Sequence, residues 1–193
     1  KFWTFVSSLL YMKKAIANGS RVINYSMGQT NNSLLVTDLV NKTWRYFLLD
    51  RSDNRNVLFV FMAGNENKDV KYTSPASLAN EYDNVISVAA NQRDGMKSPF
   101  SNWGDFVTVA APGGNGPPDD AEDIYSTLPN NNYDFRSGTS MSAPFVSGLA
   151  GLIYSVDPSR YEGKYKGKVL TAKDVKELIV QGAINSGKFV SGP

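Results

Sequence analysis

The segment Ser137-Gly138-Thr139-Ser140-Met141-Ser142-Ala143-Pro144 places a serine hydroxyl where a glycine-containing turn enters an apolar helix. A helix N-terminus offers free backbone N–H groups and a partial positive charge, and both would stabilise an oxyanion that forms beside Ser140. Pro144 is expected in the first turn, where its missing N–H matters little. The same pattern is also common as a simple helix cap, so this segment alone does not distinguish a nucleophile from a cap.

The chain contains no histidine among its 193 residues. A serine hydroxyl is a weak nucleophile near neutral pH, and a neighbouring base must take its proton. A Ser-His-Asp triad therefore cannot be completed within this chain. Acidic candidates such as Asp38, Glu66 and Asp69 lie in no motif that would make one of them the base.

Two further segments follow predicted strands. Ala63-Gly64-Asn65 comes directly after an apolar run, and functional groups of open α/β sheets gather beyond the carboxyl ends of their strands. The Asn65 amide could donate a hydrogen bond to a developing oxyanion, although Gly-Asn is equally common in turns. Tyr25-Ser26-Met27-Gly28 ends another strand, where an exposed edge could pair with an extended peptide.

Composition bears on which partners and which kinds of site this chain could have. The net charge of +2, from 20 basic and 18 acidic residues, gives no argument for binding nucleic acid or an anionic membrane. The absence of cysteine excludes disulfides and thiolate metal sites. No apolar run is long enough to cross a bilayer.

Hydrophobic periodicity predicts alternating helices and strands. The predicted helices span 4–17, 34–49, 141–156 and 172–181, and the predicted strands span 21–27, 57–63, 84–90 and 106–110. The third helix is apolar nearly all round, which predicts that it is buried. Thr171 is a candidate N-cap of the last helix. The alternation predicts a parallel α/β sheet in one domain over residues 1–193.

Taken together and in order, these motifs resemble the subtilisin-like serine proteases. The resemblance is carried by segments 22–28, 63–66, 110–113 and 138–148, with Ser74-Pro75-Ala76 and 100–104 between them, and it extends over nearly the whole chain. It implies a three-layer α/β/α fold around a parallel sheet. It also implies that the complete protein is a serine endopeptidase that works through an acyl-enzyme.

The resemblance assigns roles to individual residues. Ser140 would be the nucleophile, and Asn65 would be the side-chain oxyanion donor beside the Ser140 backbone N–H. The edge that pairs with substrate would be Ser26, Met27 and Gly28, and one wall of the primary specificity pocket would be Met62, Ala63 and Gly64. The resemblance further implies peptide or protein substrates, an extracytoplasmic or secreted location and no required cofactor.

Calcium often binds in this family, and loops 76–85 and 119–123 are the candidate sites. Neither loop holds the acidic pattern of a calcium-binding loop, so we favour solvated loops at both places.

The sequence departs from the family pattern where the aspartate and histidine motifs should precede the serine. The chain therefore corresponds to an incomplete, C-terminal portion of such a domain and is expected to be inactive alone. Phe145 also replaces the histidine usual in the nucleophile motif, which we interpret as a packing difference.

Three interpretations of the missing motifs remain open. In the first, the aspartate and histidine motifs lie outside this chain in the natural protein. In the second, the protein is a noncatalytic member that binds peptide without cleaving it. Ser140 and Asn65 favour the first. The third alternative, the Ser-Glu-Asp peptidases, typically has aspartate where this chain has Asn65.

The family places the strand with the catalytic aspartate beside segment 22–27. Without that strand the edge is unpaired, so we expect it to pair with a second copy of the chain or to be covered by residues 1–20.

Overall fold

A parallel sheet of four strands organises the protein: β1 (Val22–Tyr25), β3 (Leu58–Met62), β5 (Val85–Asn91) and β6 (Val109–Pro112). The computed structural model describes residues 2–116 and 123–185. The strand order is β1-β3-β5-β6, and every neighbouring pair is parallel. The expected α/β fold with a parallel sheet is confirmed.

Helices cover both faces of this sheet. On one face lie α1 (Phe2–Ala17) and α2 (Leu34–Trp44), which continues as a π-helical turn, Arg45–Leu49. On the other face lie α3 (Thr139–Ser155) and α4 (Ala172–Asn185). Because every residue of β3 is buried, its alternate side chains enter both cores, as expected for a central parallel strand.

The two cores differ in the side chains that fill them. The first contains a cluster of aromatic rings, in which Trp44 packs edge-on against Phe5 and Tyr25 and its ring centroid lies 5.4 Å from that of Phe61. Aliphatic side chains dominate the second, where Val60 and other strand residues meet the inner face of α3. These cores hold the strand ends at fixed positions relative to the start of α3.

The start of α4 is capped reciprocally. The Thr171 Oγ1 accepts from the Asp174 N–H at 3.2 Å, and the Thr171 N–H donates to the Asp174 carboxylate at 2.8 Å. This capping box confirms Thr171 as the N-cap that the sequence predicts.

Two short antiparallel pairs lie outside the main sheet. One joins β2 (Gln29–Thr30) to β4 (Thr73–Ser74). The other is a hairpin of β7 (Ile124–Leu128) and β8 (Asn132–Arg136), which the sequence analysis did not predict. Its turn carries Asn130 and Asn131 at φ of +63° and +58°, a conformation that asparagine tolerates better than most residues.

Three sequence-based expectations about local structure are wrong. α3 is not buried all round, because Phe145, Leu149 and Leu152 are 49%, 45% and 67% exposed. Pro144 lies inside α3 as its sixth residue, beyond the first turn. The last strand of the sheet begins at Val109, three residues later than its apolar run suggests, because a turn at Asp105 and Phe106 and two irregular residues precede it.

β1 forms one edge of the sheet, and β3 is its only strand partner in the described part of the chain. α1 packs through Leu9 and Met12 in the same core as Ile23 of β1, on the face of the sheet. Whether a second copy pairs with this edge stays a prediction.

Within the described residues, none of the helices combines the length and the apolarity that crossing a membrane requires.

Candidate active site

Ser26 and Ser140 are joined by two reciprocal hydrogen bonds. The Ser140 Oγ donates to the Ser26 carbonyl oxygen at 3.0 Å, and the Ser26 Oγ donates to the Ser140 carbonyl oxygen at 2.9 Å. The first residue follows β1 and the second opens α3. This pair brings the end of an edge strand directly onto the predicted nucleophile.

Pro144 explains why the Ser140 carbonyl is available. In an α-helix the carbonyl of residue 140 would accept from the N–H of residue 144, but proline has no N–H. The acceptor left over inside the helix is then satisfied by the Ser26 hydroxyl. A buried or half-buried carbonyl without such a partner would destabilise the fold.

The orientation of the Asn65 amide is fixed by Thr139. The Thr139 N–H and the Thr139 Oγ1 each lie 2.9 Å from the Asn65 Oδ1. Because a backbone N–H can only donate, the atom that it contacts must be the amide oxygen. The Asn65 NH₂ group therefore points away from this clamp, and it donates to no acceptor within the described residues.

A second donor remains open at the same helix end. The Thr139 N–H is taken by Asn65, and the Met141 N–H donates to the Gly138 carbonyl at 2.9 Å. The Ser140 N–H lies between them and has no acceptor in the described part of the chain. Within the described residues, the Asn65 NH₂ and the Ser140 N–H are thus donors without an acceptor at the same helix end, as an oxyanion site requires.

Gly64 makes the sharp turn that places Asn65. Its φ is +108°, and a Cβ built on it would lie 2.2 Å from the Asn102 Nδ2. The side chain of Asn102 is fully buried, donates to the Ala63 carbonyl at 3.0 Å and accepts from the Lys68 N–H at 2.9 Å. Only glycine fits between the turn and this buried amide.

The residues predicted to bind substrate lie together at the same end of the sheet. Ser26, Met27 and Gly28 follow β1. Met62 ends β3, the neighbouring strand, and Ala63 and Gly64 follow it. Gly28 and Met62 are in close contact, because a Cβ at residue 28 would lie 2.8 Å from the Met62 Cε. Met27 is 49% exposed, whereas Met62 and Ala63 are buried. Their roles toward substrate stay predictions.

Within the described residues, no carboxylate contacts the Ser140 hydroxyl. The Glu66 carboxylate accepts from the Asn65 N–H, and Asp38 and Asp69 form ion pairs elsewhere. Asp134 lines the same groove as Ser140, but the Phe135 N–H and then Arg136 hold the pKa of its carboxyl below its usual range. A carboxylate stabilised in this way is a poor proton acceptor at neutral pH.

The calcium prediction gains no support from geometry. In the part of the chain that the structure describes, no three acidic side chains come together as a cation would need. Most of loop 119–123 lies outside the described residues, and the described Asp123 accepts from the Asn115 and Gly116 N–H groups. Calcium binding stays a prediction.

Sequence reasoning singled out the candidate reacting groups, Ser140 and Asn65, but missed the residues that position them. From the sequence, Thr139 was a candidate only for capping the helix, and Asn102 was only a part of segment 100–104. A threonine directly before the nucleophile and an asparagine in a run of small polar residues are weak signals. Their hydrogen bonds depend on contacts between distant segments, which one sequence does not reveal.

The profile of the Subtilase family matches residues 7–191. The chain is a member of the subtilase family. Its relatives include an extracellular basic protease of Dichelobacter nodosus, 37% identical over 69% of this chain and 20% of that protein. Thermitase of Thermoactinomyces vulgaris is 36% identical over 79% of this chain and 46% of its own length.

Solved structures agree with this assignment. A cold-adapted subtilisin-like serine proteinase superposes on this subtilase with a TM-score of 0.65 at 25% identity, covering 90% of this chain and 52% of the other. The subtilase chain described here thus spans about half of the solved relative and less than half of the curated relatives.

Proposed function

We propose that this chain supplies the nucleophile and the oxyanion-binding groups of a serine endopeptidase. The observation that carries the proposal is that Thr139, the residue before Ser140, binds the Asn65 amide oxygen, so that the Asn65 NH₂ and the Ser140 N–H lie at the same helix end without acceptors in the described residues. Family membership supports peptide-bond hydrolysis as the reaction. The substrates are peptides or proteins.

The reaction follows from these groups. The Ser140 Oγ attacks the peptide carbonyl carbon while its proton passes to a base from outside these residues. The carbonyl oxygen becomes an oxyanion and accepts hydrogen bonds from the Ser140 N–H and the Asn65 Nδ2. The C–N bond then breaks, the amine leaves with the proton, and water hydrolyses the acyl-serine in a second step.

The chain alone lacks the base, so we expect negligible activity from it. In the absence of a base the Ser140 proton is shared with the Ser26 carbonyl oxygen, which is too weakly basic to remove it. A fluorophosphonate probe should label the isolated chain at the slow rate of an ordinary serine, and Ser140→Ala should hardly change that rate. Rapid labelling that Ser140→Ala abolishes would show that the chain contains its own base.

A noncatalytic peptide-binding role is the alternative. The observation that favours it is the Ser140 hydroxyl held by a carbonyl in a chain without histidine. The two functions separate when a histidine-bearing part of a related subtilase is added. Saturable peptide binding without any acyl-serine, detected by mass spectrometry of the intact chain, would support the binding module over the peptidase.

Two further proposals concern the location of the protein and its self-association. An extracytoplasmic or secreted location is supported by the relative named as an extracellular basic protease. Self-association through β1 is supported by its place at the edge of the described sheet, where one side of the strand pairs with β3 and the other side has no strand partner. Static light scattering at micromolar concentration should then give twice the monomer mass, and a monomer at all concentrations would contradict it.

A further inference from the structure

Loop 76–85 is one of the two segments in which the family resemblance suggests calcium. It begins with a short 3₁₀ helix, Ala76–Asn80, and ends where β5 starts. Calcium in proteins takes six to eight oxygen ligands, and carboxylates are usual among them. The groups that already bind the oxygen atoms of this loop therefore decide whether a metal cation fits it.

Lys176 of α4 reaches the backbone of this loop. Its Nζ donates to the Ala79 carbonyl oxygen at 3.1 Å and to the Tyr82 carbonyl oxygen at 3.0 Å. The Ala79 carbonyl belongs to the last turn of the 3₁₀ helix, where carbonyl groups lack partners within the helix. An ammonium group suits this place, because it donates hydrogen bonds and its charge complements the negative end of the helix.

The Lys176 ammonium depends on these two carbonyl groups. Within the described residues Lys176 forms no ion pair, unlike its neighbour Lys173, which lies 2.7 Å from the Asp83 carboxylate. The side chain is half-buried, and burial lowers the pKa of Lys176. Because a charge taken out of water must be hydrogen-bonded to be tolerated, the loop carbonyls are what stabilises the ammonium at this position.

The carboxylates of the loop are bound by basic side chains as well. Arg45 donates from Nε and Nη2 to the two oxygens of Glu81 at 3.0 and 2.7 Å, and Lys173 binds Asp83. A cavity of about 280 Å³ beside the loop is lined by Glu81, Asp83 and Asp105, but no three acidic side chains converge as a metal site in the described residues. A calcium ion would have to displace cationic groups from these oxygens.

The position of the loop matters for the segment that precedes it. Ser74 pairs with Gln29 between β4 and β2, and the Ser74 carbonyl oxygen lies 3.0 Å from where a Cβ on Gly28 would be. Whatever holds loop 76–85 therefore also holds the chain that packs against Gly28, one of the residues predicted to bind substrate.

We propose that the Lys176 ammonium is the resident cation of loop 76–85 and that this loop takes no calcium. The ammonium binds carbonyl oxygens of the kind that a metal would coordinate, and it is covalently attached to α4. The conformation of the loop is then independent of the metal concentration. This holds whether the complete protein cleaves peptides or only binds them.

Hydrogen–deuterium exchange of the whole chain, read by mass spectrometry over residues 76–85, tests the proposal. The unmodified chain should exchange at the same rate in millimolar calcium chloride and in EDTA. Lys176→Met keeps an apolar stem without the ammonium, and it should speed exchange in this loop about tenfold in both solutions. Lys164→Met, at an exposed lysine bound to Glu177 at 2.6 Å, is the matched control on the same side of the fold and should leave the loop unchanged.

The outcomes distinguish a lysine from a metal. Faster exchange of residues 76–85 in EDTA than in calcium, in the unmodified chain, would overturn the proposal. Equal exchange of this loop in Lys176→Met and Lys164→Met would overturn it too. If Lys176→Met does not fold, Lys176→Arg replaces it: protection retained in EDTA supports a resident cation, and protection that returns only with calcium contradicts it.

Discussion

Ser26 and Ser140 each donate a hydroxyl hydrogen bond to the other residue's carbonyl oxygen, although they lie 114 residues apart. The two bonds have different consequences. The bond from Ser140 directs the hydroxyl proton of the proposed nucleophile to a carbonyl oxygen, which is too weak a base to remove it. The bond from Ser26 satisfies a carbonyl that Pro144 leaves without a helical partner.

Ser26→Ala should therefore destabilise the chain, and Pro144→Ala should remove most of that effect. Ser26→Ala alone leaves the Ser140 carbonyl without a donor, and we expect a loss of about 1 kcal/mol in urea unfolding. In the Pro144→Ala background the alanine N–H can donate to the same carbonyl. Ser155→Ala, which removes an exposed hydroxyl bonded within its own helix, is the control. An equal loss from Ser26→Ala in both backgrounds would contradict this account.

Asn65→Asp should separate the structural role of this side chain from its chemical role. Aspartate keeps an oxygen for the Thr139 N–H and Oγ1, so the free energy of unfolding should stay within about 0.5 kcal/mol. It replaces the free NH₂ by a negatively charged oxygen, which repels an oxyanion. In a reconstituted enzyme kcat should fall by about 10²–10³ or more, the range found in subtilisin when one oxyanion donor is removed.

Asn65→Ala is the matched comparison. It removes the acceptor as well as the donor, so it should lower both kcat and stability. If Asn65→Asp and Asn65→Ala unfold at the same urea concentration, the clamp by Thr139 has no structural value.

Gly64→Ala should be strongly destabilising because both its backbone and its surroundings exclude a side chain. The positive φ and the overlap with the Asn102 amide together predict a loss on the order of 3 kcal/mol. Gly182→Ala in α4 meets nothing within 4 Å and should stabilise by about 0.5–1 kcal/mol. Thermal unfolding of the two variants checks the contrast, and a loss from Gly64→Ala no larger than 1 kcal/mol would refute it.

Asp174 should make the stability of α4 sensitive to acid. Burial disfavours its carboxylate, but Lys168 and the two Thr171 donors outweigh burial and lower the pKa of Asp174 to about 2. A carboxyl whose pKa is lower in the folded state contributes its stability above the unfolded pKa of about 4. That contribution should disappear as the pH falls from about 4 to about 2.

Asp174→Asn provides the measurement. It should lower the free energy of unfolding at pH 7 by about 1–2 kcal/mol through loss of the cap and the Lys168 pair. The difference from the unmodified chain should shrink as pH falls below 4. Asp53→Asn is the control, at an exposed residue that accepts from the Ser52 hydroxyl at 3.3 Å and lies 3.9 Å from Arg51. It should lower the free energy of unfolding at pH 7 by less than about 0.5 kcal/mol.

The sequence predicted the elements that hydrophobic periodicity specifies. The strands around Val60 and Ile86 were correct because continuous apolar runs leave few alternatives to a buried strand. The hairpin of β7 and β8 was missed, although Asn130-Asn131 between alternating runs around Tyr125 and Tyr133 is a turn signal. The burial of α3 was wrong because composition does not show which neighbours are present.

The site was predictable to the extent that it consists of local motifs. Ser140 and Asn65 were identified from short segments, and the structure brings them together. The clamp of Asn65 by Thr139 and the pairing of Ser26 with the carbonyl freed by Pro144 depend on contacts between remote segments. No periodicity or spacing in a single sequence encodes such contacts.

The buried Asn102 has a consequence for how the proposed oxyanion-binding groups respond to substrate. Its side chain fixes the Ala63 carbonyl and the Lys68 N–H on either side of the Asn65 turn, using only residues of this chain. If Asn65 and the Ser140 N–H act as proposed, their hydrogen-bond donors are positioned before a peptide binds, and substrate binding need not repay the entropy of ordering them. We therefore expect the Asn65 turn to keep the same conformation in the free and the peptide-bound chain.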